Sequence, residues 1–185
     1  MIVLPNTAAA TTIPPNSYAN AYVLAEQLGR ALHAGGNTIC VAESCTGGGI
    51  AEAITAIAGS SAWFDRGFVT YSYEAKVEML AVPMSLIVAV GAVSEEVAAA
   101  MTRGALIHSK AAFSFAVTGI AGPSGGTPEK PVGTVCFGFN YRQGYKFESE
   151  TQTLHFAGDR LQVRQQTILH AITHMITFVI ARKRA

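Results

Sequence analysis

The chain has 185 residues, 50% hydrophobic and 14% charged, with 13 Lys+Arg against 12 Asp+Glu. That length suits one domain, the apolar share argues against disorder, and the balanced charge lacks the basic field of a nucleic-acid binder. Three cysteines (Cys40, Cys45, Cys136) without a C-x-x-C pair argue against a disulfide scaffold or a cysteine-rich zinc site and fit reduced thiols in the cytoplasm.

Residues 1–16, rich in Pro, Thr, Ala and Asn, read as a loose N-terminal tail without the pattern of a signal peptide, and 17–185 as a single domain. From Ser17 onward, Ala21, Leu24, Ala25, Leu28 and Leu32 keep the spacing of one helix face, and Gly35-Gly36 stand where a helix stops. Thr38-Ile39-Cys40-Val41-Ala42 is short, apolar and β-branched, which predicts a strand buried on both faces. It breaks into Glu43-Ser44-Cys45-Thr46-Gly47-Gly48-Gly49, and Thr46–Gly49 is expected to form the first turn of a helix through Ile54. A second strand is expected over 67–71, with a helix starting near Ser72.

The charge-free stretch Leu80–Val93, interrupted by Pro83, is too short to span a bilayer, so no membrane association is expected. Ser94 suits an N-cap, followed by Glu95 and Glu96 in a first turn and by Val97, Ala100, Met101, Gly104 and His108 at helical spacing. Ala112–Val117 predicts a third strand that closes on Thr118 to Gly126. Val132–Phe139 and Lys146–Phe156 predict a hairpin around the polar turn Asn140–Gly144. Asp159 or its neighbour opens a long last helix with the stripe Leu161, Gln165, Ile168, Leu169, Ile172, Met175, Ile176 and Val179, and Arg182-Lys183-Arg184 at its negative end.

This order predicts an α/β fold: a three-layer α/β/α sandwich with a mixed, mostly parallel sheet, a C-terminal hairpin and a long last helix. Ligands of such sheets bind beyond the carboxyl ends of the strands. Three polar or glycine-rich turns leave strand ends here: Glu43–Gly49, Tyr71–Lys76 and Thr118–Thr127.

Ser44 lies between a buried strand and the start of a helix, where unpaired N–H groups can hold a phosphate or an oxyanion. The plainer alternative makes Ser44 or Thr46 an N-cap beside a tight turn. Lys76, at a second strand-to-helix turn, could take the Ser44 proton if burial lowers its pKa, because a neutral lysine is a competent base. No G-x-S-x-G elbow, P-loop or G-x-G-x-x-G motif is present, so neither an α/β-hydrolase triad nor an ATP or dinucleotide site is indicated. His170 and His174 at i, i+4 lack an HExxH glutamate and read as helix surface or interface rather than a metal site; Cys45 reads as structural.

Three segments resemble the CinA C-terminal domain family: Ala42-Glu43-Ser44-Cys45-Thr46-Gly47-Gly48, Val69-Thr70-Tyr71-Ser72-x-x-Ala75-Lys76, and Thr118-Gly119-Ile120-Ala121-Gly122-Pro123 with Gly125-Gly126-Thr127. Gly91–Ala98, Pro131–Val135 and Gly158-Asp159-Arg160-x-x-Val163-Arg164 fit the same pattern in order, so the resemblance covers roughly residues 20–180. It implies the stand-alone form of the family, an amidohydrolase that converts nicotinamide mononucleotide to nicotinate mononucleotide and ammonia in bacterial pyridine-nucleotide salvage. The alternatives are a non-catalytic mononucleotide-sensing module and an amidase for another phosphorylated carboxamide.

The resemblance further implies a Ser–Lys amidase with Ser44 as nucleophile and Lys76 as base, without cofactor or metal. Joined to the residue reading, it assigns Tyr71 or protonated Lys76 as the acid for departing ammonia, and backbone N–H groups of Cys45, Thr46 and Gly47 to the oxyanion. Gly48, Thr118, Gly119, Gly122, Gly125, Gly126 and Thr127, with Arg160 or Arg164, are assigned to the substrate and its phosphate. Two departures stand out. Tyr73 replaces an asparagine frequent in the family, and Met84–Val90 is unusually apolar, which predicts a subunit interface and a homo-oligomer, with a dimer favoured.

Overall fold

A computed structural model of the chain describes residues 17–182; the expected tail at 1–16 and the basic residues Lys183 and Arg184 lie outside them. The helices are α1 (Ser17–His33), α2 (Gly49–Thr55), α3 (Tyr73–Leu80), α4 (Met84–Val90), α5 (Glu95–Ile107) and α6 (Arg160–Arg182). The strands are β1 (Ile39–Glu43), β2 (Phe64–Val69), β3 (Phe113–Gly119), β4 (Thr134–Gln143) and β5 (Lys146–His155).

The five strands form one sheet in the order β2-β1-β3-β4-β5. β1 pairs in parallel with β2 and β3, whereas β4 is antiparallel to both β3 and β5. Four strands therefore run one way and β4 alone runs back, as expected of a mixed, mostly parallel sheet ending in a hairpin. Alternation along β1 serves both faces. Ile39 and Val41 join the apolar cluster with α1, α2 and α6, while Cys40 and Ala42 join the one with α3, α4 and α5. These are the two outer layers of the sandwich.

Element starts follow local chemistry. Ser72 and Ser94 cap α3 and α5, their hydroxyls accepting from Ala75 N at 3.0 Å and Val97 N at 3.3 Å. Asp159 and Gln162 exchange side-chain and backbone bonds at the head of α6, a capping box.

Four expectations shift. Strand β2 starts at Phe64 and ends at Val69, because an edge strand tolerates the polar Asp65-Arg66 pair. β4 runs on to Gln143, so the polar residues from Asn140 onward continue the ladder rather than form the turn. Leu161 is exposed, and the buried stripe of α6 begins at Val163. The first turn expected at Thr46–Gly49 is not helical: α2 begins at Gly49, with Gly48 as its N-cap. Gly47 and Gly48 have φ of 59° and 95°, a left-handed pair that glycine adopts at little cost.

Candidate active site

Strands β1, β2 and β3 are parallel, so their carboxyl ends open on one edge of the sheet. β2 lies on one side of β1 and β3 on the other, which places Ser44 where the winding of the sheet reverses. The Ser44 N–H donates to Val117 O at 3.0 Å, fixing the residue against β3.

Lys76 comes from the other flank. Its position one turn into α3 sends the side chain back toward the helix start and the end of β2. The Nζ donates to Ser44 Oγ at 3.1 Å and to Thr70 O at 2.8 Å. The Thr70 N–H in turn donates to Glu43 O at 2.8 Å, so a ring of bonds links both members of the pair through the residues beside them. Lys76 is only 1% exposed and Ser44 9%. Among the described residues no carboxylate lies within ion-pair distance of Lys76. Burial therefore holds its pKa below the ordinary 10.5, although a charged Cys45 would pull the other way. That counter-charge is absent near neutral pH, because burial pushes the Cys45 thiol up to about 12. Cys45 is thus a neutral packing residue, as expected.

The turn after Ser44 differs from the expectation in one chemical respect. Glu43, completely buried, turns its carboxylate onto the loop and the head of α2. Oε2 accepts from Thr46 Oγ1 at 2.6 Å, Gly48 N at 3.1 Å and Ile50 N at 3.1 Å; Oε1 accepts from Ala51 N at 2.8 Å. Gly48 N is therefore spent on Glu43 and cannot serve a phosphate. The Gly47 N–H closes the turn on Ser44 O at 3.1 Å, which removes it from the expected oxyanion donors. Among the described residues no carbonyl accepts the N–H of Cys45 or Thr46.

The head of α6 ties the three loops together. Arg160 donates to Gly122 O and to the Tyr71 hydroxyl, both at 2.8 Å. Arg164 donates from Nη2 to Thr46 O at 2.7 Å, and its buried Nε has no partner among the described residues. Tyr71 is 61% exposed at the rim and its hydroxyl is engaged with Arg160, so the structure does not bring it to the dyad.

The glycines of the third loop answer mainly to packing. A Cβ on Gly119 would stand 2.9 Å from Thr134 O, one on Gly126 2.7 Å from Val132 N, and one on Gly122 2.6 Å from a Val132 methyl. Gly122 and Gly125 have positive φ, and Gly125 is exposed. Thr118 Oγ1 donates to Ala92 O at 2.8 Å, and Thr127 accepts Lys130 N at 3.1 Å within its own turn. Neither threonine hydroxyl has the loop's interior to itself.

His170 and His174 meet Gln152 at 2.7 Å and Glu150 at 2.8 Å on the β5 side of α6, remote in topology from this edge. A groove of about 290 Å³ between α1 and the segment after α2, lined by Arg30, His33, Ile57 and Trp63, contains none of the residues above. Sequence reasoning missed Glu43 and Thr70. The first was visible as an acid directly before Ser44; the second acts through its backbone and leaves no side-chain signal.

A family profile described as CinA C-terminal domain matches residues 21–179. The chain is 52% identical over 149 residues to nicotinamide-nucleotide amidohydrolase PncC of Escherichia coli (strain K12), covering 80% of this chain and 88% of that one. It is 50% identical over 153 residues to the protein of the same name from Pseudomonas putida, covering 83% and 93%. Among solved structures, the competence/damage inducible protein CihA from Agrobacterium tumefaciens superposes with a TM-score of 0.82 at 40% identity, over 90% of this chain and 98% of that one.

Proposed function

Because the chain belongs to the CinA C-terminal domain family, we propose that it hydrolyses the carboxamide of nicotinamide mononucleotide, giving nicotinate mononucleotide and ammonia. The observation that carries this reading is the buried Lys76 Nζ at 3.1 Å from Ser44 Oγ. A neutral amine donates one N–H to Thr70 O and turns its lone pair to the serine, so the same contact then carries the Ser44 proton to Lys76. Oγ attacks the carboxamide carbon, and the N–H groups of Cys45 and Thr46 hold the oxyanion. The lysinium returns its proton to the departing ammonia, since Tyr71 is held at Arg160. Water then hydrolyses the acyl-enzyme by the same route in reverse.

Arg160 is exposed at the rim and retains further N–H donors beyond its two bonds, which suits it to the substrate phosphate. Arg164, bound to Thr46 O, acts as a strut for the nucleophile turn. Among the described residues no helix is long and apolar enough to cross a membrane; a place in cytoplasmic pyridine-nucleotide salvage is part of the proposal. The test is ammonia release, in chelator, from nicotinamide mononucleotide compared with its riboside, free nicotinamide and glutamine. Release confined to the phosphorylated carboxamide supports the reading. Binding without release would leave a sensing module, and preference for another carboxamide would reassign the substrate.

A further inference from the structure

Helix α2 begins without a side-chain cap of its own: Gly48 sits at the N-cap and offers no acceptor. Its first-turn donors without an intrahelical acceptor, Ile50 N and Ala51 N, are met by the carboxylate of Glu43, which reaches over the turn from the preceding strand. The same carboxylate takes Gly48 N and Thr46 Oγ1. All four partners donate, so both oxygens act as acceptors, and the negative end faces the positive pole of the helix. Glu43 is also locked at its backbone, paired with Val69 and Val117 on either side and accepting Thr70 N.

The turn it holds is Ser44–Gly48, which contains the nucleophile, the two N–H groups of Cys45 and Thr46, and two glycines with little conformational bias of their own. Without the carboxylate, two donors of the turn and two at the head of α2 lose their acceptor, and only the Gly47 N–H bond to Ser44 O and the Arg164 bond to Thr46 O remain to hold a turn with two flexible glycines.

We propose that Glu43 is the positioning residue of this site. Its carboxylate fixes the Ser44 turn so that Oγ meets Lys76, while Glu43 itself does not touch the lysine nitrogen. The inference rests on the Ser–Lys reading above. A side chain acting this way controls the reaction step more than substrate affinity, because displacement of a reacting group by about 1 Å can cost about 100-fold.

Glu43→Ala, Glu43→Gln and Thr46→Val are compared with the wild-type chain for thermal unfolding, for kcat and KM with nicotinamide mononucleotide, and for the rate at which a fluorophosphonate labels Ser44. Glutamine can place its carbonyl where Oε2 accepts three donors, but its NH₂ then opposes Ala51 N–H. Folded Glu43→Ala is expected to lose about 100-fold in both kcat and labelling with KM within about threefold, and Glu43→Gln about tenfold. Thr46→Val, which removes one of the four donors, is expected to fall between Glu43→Gln and wild type. Labelling of folded Glu43→Ala within about threefold of wild type would overturn the proposal. If the alanine variant does not fold, the glutamine variant decides: slowed labelling upholds the proposal and wild-type labelling overturns it. Should wild type label at Ser44 yet release no ammonia, the substrate reading fails while the labelling ratios still decide Glu43.

Discussion

Arg160 and Tyr71 lie 89 positions apart in the chain, yet the guanidinium donates to the phenol oxygen at 2.8 Å. With its second bond to Gly122 O, this arginine joins the loops after β2 and β3 at the rim of the site. A cation thus bridges two loops at the rim, while Ser44 and Lys76 themselves are buried.

Arg160→Ala should raise KM for nicotinamide mononucleotide by about 10- to 100-fold, the scale of a hydrogen bond to a charged group. It should leave kcat at saturating nicotinamide mononucleotide within about threefold. A matching loss in kcat would show that Arg160 only braces the loops.

The pH profile follows from the direction of the Lys76 shift. Burial lowers its pKa from 10.5, and the neutral amine is the reactive form. The rate (kcat/KM) should therefore climb with pH through an inflection below 10.5 and fall on the acid side, where the amine is protonated. Steady-state rates across pH, with buffers matched in ionic strength, check this. A flat profile would remove the lysine from the chemistry.

The same shift has a stability consequence. A folded-state pKa below the unfolded value means the unfolded chain binds the proton more readily, so this site's cost is full at low pH and fades as pH rises toward 10.5. Lys76→Met should melt no lower than wild type at pH 7 while losing turnover. Its relative advantage should shrink as the pH is raised.

Gly126→Ala separates packing from ligand binding. A Cβ there would meet Val132 N at 2.7 Å, so the variant should lose about 1–3 kcal/mol of stability. In the folded fraction KM should stay near wild type. A large rise in KM without a change in melting would return the glycine to the phosphate site.

On α4, Val88 is 76% exposed and Met84 38%, on a helix without a charged residue. The dimer expected from the sequence would seat a second copy of the chain on that face. Light scattering should report a dimer for wild type and a monomer for Val88→Asp; a monomeric wild type at micromolar concentration would contradict it.

The convergence of loops was legible because strand ends and helix caps are local signals. Ser72, Ser94 and Asp159 announce their helices through short polar side chains, and the apolar run before Glu43 announces a buried strand. The start of α2 was not legible. Its position depends on two glycines with positive φ and on a carboxylate that caps the helix from the wrong side of the turn. The α6 stripe was misplaced by Leu161, since periodicity does not reveal where along a helix the contact with the sheet begins. The roles of the threonines at 118 and 127 depended on partners 26 and 3 residues away, and only the nearer could have been guessed.

The central claim is most directly tested by the turnover of Lys76→Ala on saturating nicotinamide mononucleotide, with folding confirmed by the melting curve. A buried general base contributes about 100- to 10,000-fold, so kcat should fall by at least about 100-fold while the chain stays folded. A folded variant that keeps more than about a tenth of the wild-type kcat, against a loss of that size, would contradict the account.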